Sequence, residues 1–384
     1  MRVTLADASL ARYAGRFVWL ELDFDKRVNR DFLVQHAIAN TPTFFILDPS
    51  DEHVVATQIS AMTLTELRAF LDRGERAVIS PTCTPADAAL ARADRLLAGH
   101  RHAEAAAAYR EALRLAPTDW PERDETIASL AWALKSDRQW RPCAEVAAKE
   151  APRVQRTATF GRVVLAGMWC ANMGEPEAWA DSAAKTLAPL AEEAVALPSS
   201  LRDHRFQLYQ NLMYLADSHH DHATEKKWGE LWLGELDATN PANDDERSAL
   251  DVARVDVESI LGEPARVIPA LIASESAMPI NYNASLRLAQ MESAAGHYDD
   301  AIAACDRGLR HVSGPLGKAW LLETKAVALT QKGRTVEARR ALEEARRSAL
   351  DISLESPRKN NLSKIDELLR KLQKSDAQER QNPN

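Results

Sequence analysis

Gly296-His297-Tyr298-Asp299-Asp300-Ala301 and Gly333-Arg334-Thr335-Val336-Glu337-Ala338 share one pattern, a turn glycine followed five residues later by an alanine that opens an Ala/Leu-rich helix. Working outward from them, turn-forming residues recur at Gly99, Asp137, Gly174, His219, Gly262, Gly296 and Gly333, at intervals of 38, 37, 45, 43, 34 and 37 residues. Between the turns the chain reads as paired amphipathic helices. A period of this size points to helical hairpins, none of which can bury its apolar side alone, so that neighbours must stack.

The two quoted stretches resemble the tetratricopeptide repeat, whose second helix begins after a Gly-x-Tyr-x-x-Ala turn. Within residues 86–117, Ala93, Ala105, Tyr109, Ala112, Leu113 and Pro117 fit the same resemblance. Alanines let two antiparallel helices approach closely, and the aromatic ring fills the space toward the next unit. Weaker units follow at 126–151 and 156–197, then longer helices at 201–219, 223–238, 246–261 and 265–274. Residues 282–312 and 316–350 close the array. A last helix starts near Ser356, with Leu362, Ile365, Leu369 and Leu372 on one stripe, and suits a polar cap for the final repeat.

The first eighty residues carry all the strand-like patterning. Asp7 to Gly15 reads as the end of a helix, Phe17 to Asp23 as a buried strand, and a short helix follows with Val28, Phe32 and His36 on one face. Phe44 to Asp48 and His53 to Ile59 read as two further strands. Thr63 and Glu66 form a capping box, with Met62 and Leu67 at hydrophobic-staple spacing. Residues 74–85 are rich in Gly, Ser, Thr and Pro and read as a connection, with Thr84 and Pro85 opening the next helix.

This order resembles the later part of the thioredoxin fold, on Leu20-Glu21-Leu22-Asp23, Thr41-Pro42-Thr43-Phe44 and the helix from Thr63. The resemblance implies a cis peptide bond at Pro42 and a peptide-pairing role for Thr41 and Pro42. It also implies a missing half: the strand, helix and C-x-x-C that precede this region in the family would lie upstream of Met1. The expectation is therefore a truncated start, or a domain that has lost its catalytic half and serves as a cap. Without the central strand, the segments at 17–23 and 44–48 would expose unpaired edges.

The expected fold class is mainly α, a tetratricopeptide-like α-solenoid of helical hairpins with a small, partial α/β thioredoxin-like domain at the N-terminus. The expected boundaries are 1–78 for that domain, 79–85 for a linker, 86–350 for the repeats, 351–375 for the capping helix and 376–384 for a disordered tail.

The chemistry the sequence offers is sparse. A net charge of -8 argues against a general nucleic-acid binder, which needs a basic face. No apolar run is long enough to span a membrane. Asp7 and Arg12 interrupt any leader-like start, so the expected location is cytoplasmic for the chain as written, and periplasmic or secreted if a signal peptide lies upstream of Met1. Cys83, Cys143, Cys170 and Cys305 lie far apart. They form no C-x-x-C pair, and three of them read as small buried hydrophobes. His219-His220-Asp221-His222 reads as a solvated turn, with Asp217 the one carboxylate noted nearby, so no metal and no cofactor are expected. Trp132, Trp169, Trp228, Trp232 and Trp320 read as packing between repeats.

A repeat array binds rather than reacts. The resemblance places Asn283, Arg287, Gln290, Trp320, Glu323 and Thr324 on the groove side of the last two repeats, suited to a peptide held by hydrogen bonds and one aromatic anchor. The function this implies is a noncatalytic protein-protein interaction scaffold, with a protein or peptide on the repeat groove. The alternative is a thiol-disulfide oxidoreductase whose C-x-x-C lies upstream, with the repeats recruiting substrate. The chain as written carries no redox motif.

Overall fold

The computed structural model describes residues 2–22, 27–36, 42–79, 84–174, 178–352 and 355–381. They fall into two compact units, Met1–Glu225 and Lys226–Asn384. Each is built mainly of antiparallel helix pairs, as the sequence pattern predicts.

The first unit opens with α1 (Arg2–Leu5), a 3-10 turn at Ala8–Tyr13 capped by Asp7, and α2 (Arg30–Gln35). Two antiparallel strands follow, β1 (Thr43–Leu47) and β2 (Val54–Ile59), with a bulge between Ile46 and Leu47. Then comes α3 (Leu64–Ile79). The capping box at its start is formed: Glu66 Oε2 accepts the Thr63 N–H at 2.8 Å, and Thr63 Oγ1 accepts the Glu66 N–H at 3.3 Å. Residues Val54 to Gln58 of β2 are buried on both faces, because the strand packs against α3 and against α4 (Pro85–Ala98).

Two expectations for this region are corrected. The predicted strand at 17–23 is not formed over its described residues, and Asp23 lies outside them. Phe17 packs on Tyr13, but Val18 is 89% exposed and Leu20 76%. Among the described residues no strand lies beside the segment, so no ladder satisfies its backbone. The described residues thus give a two-stranded sheet, which does not support the thioredoxin-like arrangement. The connection starting at Gly74 is also corrected, since α3 continues through that glycine. A Cβ there would stand 2.2 Å from Ile46 Cδ1, so Gly74 serves close packing of helix on sheet rather than helix termination.

The helix pairs of the first unit are α4 with α5 (His102–Leu115), α6 (Arg123–Ser136) with α7 (Trp140–Glu150), and α8 (Ala158–Met173) with α9 (Ala178–Ala196). The helix α10 (Arg202–Ser218) lies on α8, and α11 (His222–Ala238) begins at the end of this unit. Thr84 caps α4 with Pro85 in its first turn. Ala93, Ala105, Tyr109 and Ala112 are fully buried between α4 and α5 and their neighbours. At Gly167 an added Cβ would lie 2.4 Å from Ala147 Cβ, which explains the close approach of α7 and α8. Across that seam Cys143 and Cys170 form a disulfide. The reading of these two as free thiols is corrected; their 27-residue separation left the pairing invisible in sequence.

The second unit holds α12 (Asp244–Leu261), a 3-10 turn at Pro264–Arg266, and α13 (Ile268–Ala277). Then follow α14 (Tyr282–Ala294) with α15 (Tyr298–Leu309), α16 (Pro315–Gln331) with α17 (Thr335–Leu350), and α18 (Glu355–Gln381). Ile365 and Leu372 of α18 are buried with Leu342, Ala345 and Ala349 in one core, and Leu362 and Leu369 pack against it. The helix runs to Gln381, past the Ser375 where the sequence pattern ends it.

One closure recurs across the molecule. The N–H donors of Arg101, Gln139, Asp221, His297 and Arg334 bond the carbonyls of Leu96, Leu134, Ala216, Glu292 and Leu329, each at 2.8–2.9 Å. The residue just before each donor is left-handed: His100, Arg138, His220, Gly296 and Gly333. This is the Schellman closure, a five-residue return that ends one helix and aims the next. It shows the repeat in geometry as well as in residue type.

Candidate functional site

A cavity of about 410 Å³ opens in the first unit between the end of α8, the start of α9 and the end of α10. Trp169, Met173, Ala180, Ala184, Tyr214 and Leu215 give it an apolar lining. Met173 and Tyr214 are exposed. Its polar groups are few and fixed. Asn172 Nδ2 donates to both the backbone oxygen and Oδ1 of Asn211 at 3.0 Å. Asn211 Nδ2 in turn donates to the Gln207 carbonyl at 2.7 Å. Asp181 and His219 stand at the edge, 3.9 Å apart. A concave, largely apolar surface with a few oriented amides is the usual form of a recognition pocket.

Trp169 also connects this cavity to α6. The Lys135 ammonium lies 4.5 Å from the Trp169 ring centroid and 4.7 Å from that of Trp132. Burial pulls the Lys135 pKa down. Among the described residues no carboxylate pairs with it, so the two indoles are its stabilising surroundings. Trp132 and Trp169 are therefore more than spacers between repeats. Trp228 and Trp232 are buried as packing residues, and the Lys227 ammonium lies 4.2 Å from the Trp228 ring centroid.

The residues predicted from sequence are placed as follows. Thr41 lies outside the described residues. The Pro42 carbonyl accepts the Ser60 N–H at 2.9 Å, so it extends the β1–β2 pairing. On α14, Arg287 Nη1 donates to Ser248 Oγ of α12 at 2.9 Å. Burial lowers the Arg287 pKa, and the Asp251 carboxylate opposes that. Asn283 is half-buried and Gln290 exposed. On α16, Trp320 is exposed, whereas Glu323 is buried and ion-paired with Lys364 of α18. The adjacent helices α14 and α16 thus carry both sets, but Arg287 is engaged toward α12 and Glu323 toward α18.

Sequence reading missed a buried polar seam that fixes the β-hairpin and α3 onto the helices. Arg162 of α8 ion-pairs with Glu66 of α3 at 3.1 Å and with Glu125 of α6. Glu66 Oε1 also accepts from Thr159 Oγ1 at 3.1 Å. Ser60, with φ 92°, has its Oγ 2.8 Å from Nε2 of the buried His204. A serine hydroxyl on an imidazole is half of a nucleophilic arrangement, but Nδ1 of His204 has no hydrogen-bond partner to orient the ring. Burial, with Arg162 adding to it, pushes the His204 pKa down to about 4. The pair acts as a staple between β2 and α10. A second buried group does the same between β2, α3, α4 and α5. There Asp94 accepts from Tyr109 Oη at 2.7 Å and from the Thr57 N–H at 3.3 Å, and lies 3.4 Å from Arg73.

No protein-family model and no curated protein matches the chain. Solved structures similar to it include a tetratricopeptide repeat protein from Parabacteroides merdae, 8% identical, with 74% of this chain and 99% of that one covered and a TM-score of 0.47. Another is the TPR2AB domain of yeast Sti1 in its pHSP90 complex, 15% identical, covering 75% and 98%, with a TM-score of 0.29. A likeness of this degree carries nothing about the ligand or partner of this chain.

Proposed function

We propose that the chain is a noncatalytic scaffold that binds a protein or peptide on its helical hairpins. The observation that carries this reading is the cavity at the ends of α8 and α10, where exposed Met173 and Tyr214 surround a pre-oriented Asn172–Asn211 pair. An extended peptide could seat one apolar or aromatic side chain there and bond its backbone to the amides. Asn283, Arg287, Gln290 and Trp320 form a second candidate face on α14 and α16, of which Gln290 and Trp320 are the exposed members. The buried disulfide favours the periplasmic or secreted location over the cytoplasmic one, because such bonds persist where thiols are oxidised. The oxidoreductase alternative gains no support: the sheet has two described strands, and the bridge is a packed cross-link between helices.

Panning a random-peptide display library on the full chain tests the proposal. Selected peptides are expected to lose at least about tenfold in affinity for a Met173→Ala/Tyr214→Ala variant, a loss of about 1.4 kcal/mol. Loss on Gln290→Ala/Trp320→Ala instead would move the site to α14 and α16. Indifference to both variants would refute the two surfaces together.

A further inference from the structure

We propose that Asp217, His222 and Glu225 form a binding site for a divalent metal ion of the zinc type. The chain reverses between α10 and α11 over His219 to Asp221, with His220 left-handed and the Asp221 N–H returned to Ala216 O at 2.9 Å. That reversal sets the last turn of α10 beside the first turn of α11. His222 and Glu225 are one helical turn apart, on the same face, and Asp217 meets them from the other helix. One ligand atom from each lies within 4.8 Å of the others. Donors about 2.1 Å from a tetrahedral ion stand about 3.4 Å apart, so small side-chain rotations close the site.

The second observation is the state of Glu225. It is 9% exposed, and among the described residues its carboxylate has one partner, His222 Nδ1, at 3.1 Å. Among the described residues no lysine or arginine pairs with Glu225 or with Asp217. Two carboxylates, one of them buried, converge without a permanent counter-charge, an arrangement that is costly until a cation enters. One imidazole nitrogen and two carboxylate oxygens, with no thiolate, suit zinc and its neighbours. Three protein ligands leave at least one position for water or for a group on a partner. The sequence pointed to the four-residue histidine turn. The geometry retains only His222 of those four and adds Glu225, while Asp221 is occupied in capping α11 through the Thr224 N–H at 3.1 Å.

Titration calorimetry of the full, chelator-stripped chain with zinc sulfate tests this. One saturable site per chain is expected. Glu225→Gln and Asp217→Asn should each weaken it by about tenfold or more, and a His219→Ala/His220→Ala variant should retain it. Zinc should raise the Tm of the wild-type chain and not that of Glu225→Gln, with circular dichroism confirming that both are folded. Absence of saturable uptake by the wild type overturns the site. Binding lost in the His219/His220 variant but kept in the carboxylate variants overturns it as well, by assigning the ion to the exposed turn.

Discussion

The two units are built from the same hairpins and closed by the same turn, yet one buried acid in each meets very different surroundings. In the first, Arg162 is enclosed by Glu66 and Glu125, and Asp94 by Arg73, Tyr109 and Thr57. In the second, Glu258 of α12 is fully buried; among the described residues neither carboxylate oxygen is hydrogen-bonded, and the Arg266 guanidinium lies 3.8 Å away. Burial accordingly pushes its pKa up to about 7. Asp251, two turns earlier on α12, is also buried, and burial raises its pKa. Its Oδ1 accepts from Ser274 Oγ at 3.0 Å and lies 3.4 Å from Arg254, while its Oδ2 has no hydrogen-bond partner among the described residues. The first unit's seam sets its buried acids against guanidinium groups, whereas at Glu258 burial outweighs the more distant Arg266 and raises the pKa.

The most damaging test of that contrast removes Arg162. Arg162→Met leaves Glu66 and Glu125 facing each other in a buried space, and should cost roughly 3–5 kcal/mol in denaturant unfolding. Glu258→Gln in the second unit should instead stabilise above pH 7, since it replaces an uncompensated acid with a neutral amide. Equal losses for both variants would erase the distinction. Next in size is the bridge: Cys143→Ser/Cys170→Ser, closing no 27-residue loop, should lose about 3 kcal/mol from the first unit. Hydrogen exchange in the α7 and α8 peptides would report it.

The pH responses should run in opposite directions. His204 has a folded pKa near 4 against an ordinary 6.5. Its contribution is intact above pH 6.5 and is lost as pH falls toward 4, by up to about 3 kcal/mol. Glu258 has a folded pKa near 7 against 4.5. Its contribution is intact below 4.5 and is lost as pH rises through 7. Exchange protection factors, corrected for the intrinsic pH dependence of amide exchange, should therefore fall in α10 on acidification and in α12 on alkalinisation. His204→Gln and Glu258→Gln should flatten the two trends separately. The smallest expected effect is at the turns. Gly333→Ala, at φ 70°, should cost about 1 kcal/mol, whereas His100→Gly should cost nothing or gain slightly, because its backbone already sits where glycine is at ease. Thermal unfolding would measure both.

Glu66 shows how far the sequence could be read. One of its oxygens closes the capping box with Thr63, three residues away, and that half is legible from spacing alone. The other oxygen meets Arg162, 96 residues away, and nothing local announces it. The same boundary separates the hairpins, turns and caps, which follow from neighbours in the chain, from the Cys143–Cys170 and Ser60–His204 contacts, which follow from stacking. The segment at 17–22 failed for the complementary reason: its residues favour a strand, but a strand needs a neighbour. Of the candidate sites, Trp169, Asp217, His219 and His222 were noticed, each by residue type. The Asn172–Asn211 pair and Glu225 were not, because an asparagine or glutamate within a helix looks the same whether it faces water or a cavity.

Neither sulfur of the Cys143–Cys170 bridge belongs to an exposed residue. A reductant in solution cannot reach it until α7 and α8 part, so the rate at which the bond is cleaved is set by that parting and not by the strength of the reagent. The bond thus works as a clock for local opening. A folded molecule carried from an oxidising compartment into a reducing one would keep its cross-link for as long as the seam stays shut.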